Sequence, residues 1–153
     1  MVLWRICRSV RTKNAFDGEG ARKNPGRWNQ KDIPIVYCAS SLSLAALEYF
    51  VHVDSDELPD DLMAIRAELP DDVGVERVDG ARLPKGWRQA PGPALLQDIG
   101  TEWAGSLRTA ALLVPSAIMP VENNILLNPR HADMARLSQG VPEPFVFDPR
   151  MRK

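Results

Sequence analysis

The chain has 153 residues and a formal net charge of -1, and 44% of its residues are hydrophobic and 25% charged. A chain of this length can bury the core of one domain without disulfides or metal ions, and its composition is typical of a soluble globular protein. The near-neutral charge argues against direct binding to nucleic acid, which requires clustered positive charge.

Cysteine and histidine are too sparse for a familiar metal site. Cys7 and Cys38 form no CxxC pair, and His52 and His131 are the two histidines of the chain, so no known zinc spacing is present. Arginines interrupt the apolar N-terminal stretch, and nowhere do about 18 apolar residues follow one another as a membrane span requires. We therefore predict a cytoplasmic protein without metal, signal peptide or membrane segment, and with both thiols reduced.

Two strands separated by a polar loop are predicted for the N-terminal part of the chain. Residues 2–10 alternate apolar and basic side chains, which is typical of a strand with one buried face. Residues 17–29 carry three glycines and a proline among charged residues, a composition that predicts a loop. Residues 33–38 (IPIVYC) are mostly β-branched or aromatic and predict a short strand, with Tyr37 near its end.

A helix is predicted to follow a serine-rich turn. Ser40 and Ser41 can supply the N-cap oxygen of a helix that runs through residues 44–51. Positions 44, 47 and 51 form one apolar stripe, so Glu48 lies at the edge of the buried face. A carboxylate at that place needs a polar partner.

The second half of the chain predicts strands and one helix without strict alternation. Residues 62–69 suit a strand, although their composition also suits a helix, and residues 71–93 look irregular because of their glycines and prolines. Further elements are predicted as a helix over 95–106, a strand over 110–114 ended by a proline, a strand over 122–127 and an extended tail over 140–153. Strands scattered between helices in this way predict the α+β class.

Three polar residues are predicted to meet where a loop, a strand and a helix come together. Arg27 lies in the glycine-rich loop, Tyr37 at a strand end and Glu48 on the helix, and such places commonly present side chains to a ligand. An arginine fork can hold a phosphate, and a tyrosine ring can stack on a flat ring and donate a hydrogen bond. A carboxylate can accept from a sugar hydroxyl and stabilise an oxocarbenium ion. The three residues form a candidate site.

Structural roles fit the same residues. A loop arginine is often solvated, a strand tyrosine is often half-buried, and Glu48 can pair with a nearby arginine. The chain has no GxGxxG or Walker loop, and the GxSxG motif of many serine hydrolases is also absent. His52 is more typical of a core histidine bonded to a backbone carbonyl than of a general base, and His131 of a residue that caps a turn or helix.

Two blocks of the sequence resemble the RES-domain family of toxins. The first, GARKNPGRWNQKDIPIVYCASSLSLAALEYFVH, contains a Gly-Arg-Trp segment, a strand ending in Tyr, a serine turn and a helix with Glu. The second, LLVPSAIMPVENNILLNPRH, contains a Pro-Ser step and an Asn-Pro-x-His turn. Both occur in the family's order, and the stretch from the start of the first to the end of the second, residues 20–131, is most of the chain. One departure is the loop QKDIP, where many relatives have a glycine before the strand.

The resemblance implies a single RES domain over residues 1–153, of the α+β class, with an ADP-ribosyltransferase-like split mixed β-sheet and flanking helices. It also implies a toxin of a type II toxin–antitoxin system whose partner is an Xre-type antitoxin protein. The family's Arg, Glu and Ser map onto Arg27, Glu48 and Ser116, and its ring-stacking tyrosine maps onto Tyr37.

The activity implied by the resemblance is cleavage of the nicotinamide–ribose bond of NAD⁺, which is the substrate. The implied roles are a pyrophosphate contact for Arg27, a second phosphate contact for Arg5, nicotinamide stacking for Tyr37, ribose binding for Glu48, and orientation of the ribose or Glu48 for Ser116. Water, inorganic phosphate and a macromolecule all remain open as the acceptor.

Two other functions stay open at this point. One is an ADP-ribosyltransferase that modifies a specific protein. Many transferases of this fold carry a second acidic residue two positions before the catalytic glutamate, and here that residue is Ala46, so loss of NAD⁺ is favoured. The other is a non-enzymatic interaction module that uses the acidic loop 54–61 as its contact surface.

Overall fold

The computed structural model describes residues 1–54 and 57–151. Within these residues the chain forms eight strands, which are β1 (Val2–Arg8), β2 (Val36–Ala39), β3 (Leu62–Glu68), β4 (Val75–Arg77), β5 (Ala111–Pro115), β6 (Asn123–Leu127), β7 (Ser138–Gln139) and β8 (Glu143–Pro144). The α-helices of this part are α1 (Glu19–Lys23), α2 (Leu42–Phe50) and α3 (Ala94–Ser106). No helix among the described residues is long and apolar enough to cross a membrane.

The strands form one mixed sheet. Their order is β4-β5-β6-β2-β1-β3-β7, and β8 also pairs with β3. Strands β4 and β5 run parallel, whereas the other pairings of the described strands are antiparallel. The α+β class with a mixed sheet and flanking helices is therefore confirmed.

The sheet is split between β1 and β2. Strands β1 and β3 pair along their whole length, from Val2 opposite Glu68 to Arg8 opposite Leu62. In contrast, β1 and β2 are joined through a single residue pair, Trp4 opposite Ala39. The two halves of the sheet diverge beyond this pair, and the opening between them is the place where a cleft can form.

Helices α2 and α3 cover the same face of the sheet. Because side chains alternate along a strand, Leu3 contributes to a core cluster on one face while Ile6 points to the other. On that second face, Ile6 and Ala39 pack under α2, and Leu112 and Leu126 pack under α3.

Most long predicted elements are confirmed. The predicted helix over 44–51 is α2, and it begins where expected because the Ser41 hydroxyl accepts a hydrogen bond from the Leu44 backbone N–H at 3.1 Å. Residues 62–69, which also suited a helix, form strand β3, which pairs on both sides. Helix α3 and strands β5 and β6 match their predicted ranges within one or two residues.

Short elements differ from the predictions. The predicted loop 17–29 contains α1, whose five residues are too few to give a periodic pattern. The predicted irregular segment 71–93 contains β4, a largely exposed strand whose three residues are held by parallel pairing with β5. The first strand ends at Arg8 rather than at residue 10, because residues 9–14 turn into a 3-10 helix.

In the loop QKDIP, one residue adopts the left-handed backbone conformation that glycine favours. Asp32 has a φ of 68°, in the left-handed region that non-glycine residues rarely adopt. Its backbone N–H donates to the Arg22 carbonyl oxygen at 2.9 Å, and its carboxylate accepts from the Arg22 guanidinium at 3.2 Å. Asparagine and aspartate tolerate this region better than other side chains, so QKDIP forms this turn without a glycine.

Gly100 allows α3 to touch the loop that carries Arg27. A Cβ atom at this position would collide with the backbone carbonyl of Trp28, and a carbonyl in a packed loop cannot move aside cheaply. We expect Gly100→Ala to lower the free energy of unfolding by about 1–3 kcal/mol, measured as a lower thermal midpoint.

Gly105 provides a matched control for that substitution. It lies in the same helix, and an added Cβ would meet no atom within 4 Å. Gly105→Ala should therefore be neutral or stabilise the protein by up to about 1 kcal/mol through helix propensity. Equal midpoints for the two variants would contradict the packing of α3 against Trp28.

Candidate active site

A cavity of about 690 Å³ opens at the split in the sheet. Its walls include Arg5, Arg27, Tyr37 and Glu48, whereas Ser116 is fully buried behind Glu48. The structure therefore brings all five predicted residues to one place. The residues come from β1, the loop before β2, β2 itself, α2 and the end of β5.

The Glu48 carboxylate is held from behind by two side chains. Its Oε1 accepts a hydrogen bond from the Ser116 hydroxyl at 2.7 Å and another from the Asn124 amide at 2.6 Å. The Ser116 oxygen itself accepts from the backbone N–H groups of Ile118 at 3.1 Å and Met119 at 3.0 Å. These donors direct the serine proton toward Glu48.

The second oxygen of Glu48 is available to a ligand. Among the described residues, Glu48 Oε2 accepts no hydrogen bond from the protein, although the side chain lines the cavity. No arginine pairs with Glu48 within this part of the chain. The structural role considered for Glu48, pairing with a nearby arginine, is therefore not the one it has.

Tyr37 presents its ring rather than its hydroxyl. The hydroxyl donates to Asn29 Oδ1 at 2.7 Å and accepts from the Trp28 backbone N–H at 3.0 Å. Burial raises the pKa of this hydroxyl well above its usual range, so it stays protonated at neutral pH. Because both hydrogen-bonding directions are occupied within the protein, the part of Tyr37 left to contact a ligand is the aromatic face.

Asn29 organises the loop that carries Arg27. It is fully buried, and its Oδ1 also accepts from the Gly26 backbone N–H at 2.9 Å. Gly26 leaves room for the tyrosine, because an added Cβ would lie 2.7 Å from the Tyr37 hydroxyl oxygen. The segment Gly26–Asn29 is thus fixed against Tyr37 by local contacts.

Arg27 holds a second loop over the cavity. Its Nη1 donates to the backbone carbonyl oxygens of Trp87 at 2.6 Å and Gln89 at 2.8 Å. From the same loop, Arg88 Nε donates to the Ala117 carbonyl oxygen at 2.8 Å, next to Ser116. Residues 87–89 therefore bridge two walls of the cavity, and one nitrogen of the Arg27 guanidinium is already used for this contact.

Arg5 lies where β1 and β2 separate. Its Nη1 donates to the Tyr37 carbonyl oxygen at 2.6 Å, which links the two strands at the split. Its Nε is buried and has no hydrogen-bond acceptor among the described residues. Arg5 thus combines a structural contact with a donor that the protein leaves unpaired, on a side chain that lines the cavity.

Cys38 and the histidines do not form a nucleophile–base pair in the described part of the chain. Burial raises the pKa of the Cys38 thiol to about 12, which keeps it protonated and unreactive. His52 bonds the Glu48 backbone carbonyl oxygen through Nδ1 at 2.6 Å, as predicted, but it is exposed rather than in the core. His131 caps the following 3-10 helix by accepting from the Asp133 backbone N–H, which confirms the prediction.

Sequence reasoning missed three residues of the site, namely Asn29, Arg88 and Asn124. Asn124 could have been identified from the sequence, because it is a polar residue at an inward position of a predicted strand. No pattern points to Arg88, since it lies in an irregular segment. The acidic loop 54–61, considered as a contact surface, includes residues 55 and 56, which lie outside the described residues.

Comparisons with known proteins agree on one family. The family described as RES domain matches residues 2–148. The chain is 42% identical to the Prs ADP-ribosylating toxin of Sphingobium sp. (strain YBL2), over 97% of this chain and 94% of the relative. It is 40% identical to Toxin Res of Yersinia enterocolitica, over 99% of this chain and 100% of the relative.

A solved structure shows the same fold. The crystal structure of the M. tuberculosis MbcT–MbcA toxin–antitoxin complex superposes with a TM-score of 0.73, at 19% identity. The match covers 94% of this chain and 83% of the matched chain. At this level of identity the likeness establishes the architecture.

Proposed function

Because the chain belongs to the RES-domain family of toxins, we propose that it depletes NAD⁺ by cleaving the nicotinamide–ribose bond, as a single RES domain over residues 1–153. The observation that carries this proposal is the Glu48 carboxylate, held through Oε1 by Ser116 and Asn124. A carboxylate anchored in this way in a cavity that is also lined by an aromatic ring and arginine donors fits a positively charged nucleoside with phosphates.

The chemistry of the side chains that line the cavity indicates where each part of the substrate would bind. The flat nicotinamide would stack on the Tyr37 ring, and the pyrophosphate would lie near the Arg27 donors that the protein leaves free, with Arg5 as the second phosphate contact. Glu48 Oε2 would accept from a hydroxyl of the nicotinamide-side ribose. Ser116 would act by orienting Glu48, because its hydroxyl donates to that carboxylate.

The reaction breaks the bond between nicotinamide N1 and ribose C1′. Nicotinamide leaves with the bonding electron pair, and positive charge develops on C1′ and the ring oxygen of the ribose. The Glu48 carboxylate stabilises that charge electrostatically. An oxygen of water or inorganic phosphate then bonds to C1′ and releases its proton, which gives ADP-ribose or its 1″-phosphate.

ADP-ribosylation of a protein is the second candidate. The name of the Sphingobium relative favours it, whereas the position two residues before Glu48 is Ala46, which cannot activate an acceptor. A non-enzymatic interaction module is the third. All three candidates are compatible with the fold, and the products of the reaction separate them.

Product analysis tests the proposed function. The purified protein is incubated with NAD⁺ labelled in the adenylate, in buffer alone, with inorganic phosphate, and with a bacterial lysate. We expect ADP-ribose or its 1″-phosphate to carry the label. Label found mainly on protein would favour the transferase, and unchanged NAD⁺ in all three mixtures would favour the interaction module.

We further propose that a partner protein silences this chain by blocking the cavity. A toxin that drains a central metabolite needs an inhibitor, and a segment inserted beside Arg27 and Glu48 would exclude NAD⁺ without remodelling the fold. The resemblance points to an Xre-type antitoxin, which would also supply the DNA-binding surface that a net charge of -1 does not provide. A cytoplasmic location stays a prediction.

Arg27 is expected to act mainly in substrate binding. Arg27→Ala should raise KM about 10- to 100-fold, since charge-assisted hydrogen bonds contribute about 1.5–3 kcal/mol. Arg27→Lys should rescue only part of this, because the single nitrogen of a lysine would have to serve the Trp87 and Gln89 carbonyls and the phosphate together, whereas the arginine fork uses one of its three nitrogens for the carbonyls. Steady-state kinetics measures both values.

Arg150→Ala is the control, because this arginine is exposed and lies outside the cavity. It should leave KM unchanged. An unchanged KM in both Arg27 variants would move the phosphate contact elsewhere, with Arg5 as the next candidate.

A further inference from the structure

Asn124 lies on the face of the sheet that α2 covers. It sits opposite Ala39 in the pairing of β6 with β2, and it lines the cavity. Its Nδ2 is 2.6 Å from Glu48 Oε1. An ionised carboxylate can only accept hydrogen bonds, so the amide nitrogen must face Glu48 and the amide oxygen must face away from it.

That amide oxygen is left without a partner. Asn124 Oδ1 is buried, and within residues 1–54 and 57–151 it accepts no hydrogen bond. Buried acceptors in folded proteins are almost always paired, and an exception calls for a ligand or an ordered water. The oxygen is buried, but the side chain that carries it lines the cavity, so a small adjustment of the cavity wall on binding would expose it to a donor on the ligand.

We propose that Asn124 is a positioning residue for Glu48 and that its Oδ1 accepts a hydrogen bond from the nicotinamide-ribose half of the substrate. The inference rests on the proposed function. Two groups of that half carry suitable donors, the ribose hydroxyls and the carboxamide N–H₂. In either case the amide links the catalytic carboxylate to the substrate, with the nitrogen on Glu48 and the oxygen on the ligand.

The first arm of the test asks whether Asn124 positions Glu48. Asn124→Ala should lower kcat about 10- to 100-fold, the usual effect of losing a hydrogen bond to a charged group. Asn124→Asp places two carboxylates on one site, and their repulsion raises the pKa of one of them. We expect Asn124→Asp to regain part of the wild-type kcat at acidic pH, where a protonated Asp can donate to Glu48, whereas a purely structural role would give a pH profile parallel to that of the wild type.

The second arm identifies the donor on the ligand. Wild type and Asn124→Ala are compared on NAD⁺, on 3-acetylpyridine adenine dinucleotide, which lacks the carboxamide N–H₂, and on analogues deoxygenated at either hydroxyl of the nicotinamide-side ribose. The donor that Oδ1 binds is the one whose removal reduces kcat/KM of the wild type but not of Asn124→Ala. If every analogue changed kcat/KM by the same factor in both proteins, the proposed contact would be overturned.

Asn123→Ala is the matched control, since its side chain points to the opposite face and does not line the cavity. It should keep wild-type kinetics. Thermal midpoints of all variants are measured, and the isosteric Asn124→Asp carries the test if Asn124→Ala does not fold. If the wild type is active and the Asn124 variants have the same kinetics, this inference alone is overturned. If the wild type is inactive, the proposed function and the inference are overturned together.

Discussion

Glu48→Gln is expected to reduce the rate of nicotinamide release by a factor on the order of 10² to 10³. The substitution is isosteric, and the Gln carbonyl oxygen can still accept from Ser116 and Asn124 as Oε1 does. It therefore removes the negative charge while keeping the side chain in place. The measurement is kcat for NAD⁺ by chromatography of nicotinamide, together with a thermal melt.

The matched control for this prediction is Glu143→Gln. Glu143 is exposed on β8 and does not line the cavity, so the variant should keep the wild-type rate. Both variants should melt near the wild-type midpoint. Near-wild-type turnover by Glu48→Gln would mean that another group stabilises the charge on the ribose, and the assignment of the catalytic residue would be wrong.

The second large effect is expected in cells. Expression of the chain alone in a bacterial host should arrest growth and lower the cellular NAD⁺ pool, because a turnover enzyme consumes a metabolite that the cell cannot replace fast enough. Co-expression with the neighbouring open reading frame should restore both. Growth curves and extracted NAD⁺ measured in the same cultures test the prediction.

The experiment in cells needs, as a control, an inactive variant expressed at the same level as the wild-type chain. Glu48→Gln, expressed to equal soluble amounts, should permit growth with normal NAD⁺. Unimpaired growth at high soluble expression of the wild-type chain would argue against the toxin function and would make the interaction module the first candidate.

Helix α2 and its end could be predicted from the sequence because the signals are local. Ser41 caps the helix by accepting a hydrogen bond from the Leu44 backbone N–H in the first turn, and the apolar stripe predicts that Glu48 lies at the edge of the buried face. The partners of Glu48 could not be predicted from spacing, because Ser116 and Asn124 are 68 and 76 residues away in the chain. Ser116 came from the family resemblance.

The roles of the arginines were the least predictable part of the site. A loop such as 84–93, rich in glycine and proline, has no periodicity, so its contact with Arg27 across 60 residues leaves no sequence pattern. The same holds for Arg5, whose bond to the Tyr37 carbonyl depends on the divergence of β1 from β2. Both arginines line the cavity and each also has a structural contact, while the phosphate contacts that the resemblance implies stay predictions.

The hydrogen-bond partner of the Tyr37 hydroxyl also differs from the prediction, and the path of a loop is again the cause. Its hydroxyl was expected to donate a hydrogen bond to a ligand, and it donates to Asn29 instead. Asn29 lies eight residues before Tyr37, within reach only because the loop folds back over the strand. The ring face remains the part that a nicotinamide would contact.

Release of nicotinamide by the purified protein tests most directly whether this chain cleaves the nicotinamide–ribose bond of NAD⁺. Wild type and Glu48→Gln are incubated with NAD⁺ in buffer with and without phosphate, and free nicotinamide is quantified against time. We expect stoichiometric conversion of NAD⁺ to nicotinamide by the wild type and little by the variant. No nicotinamide above the enzyme-free rate from a folded wild-type protein would contradict it.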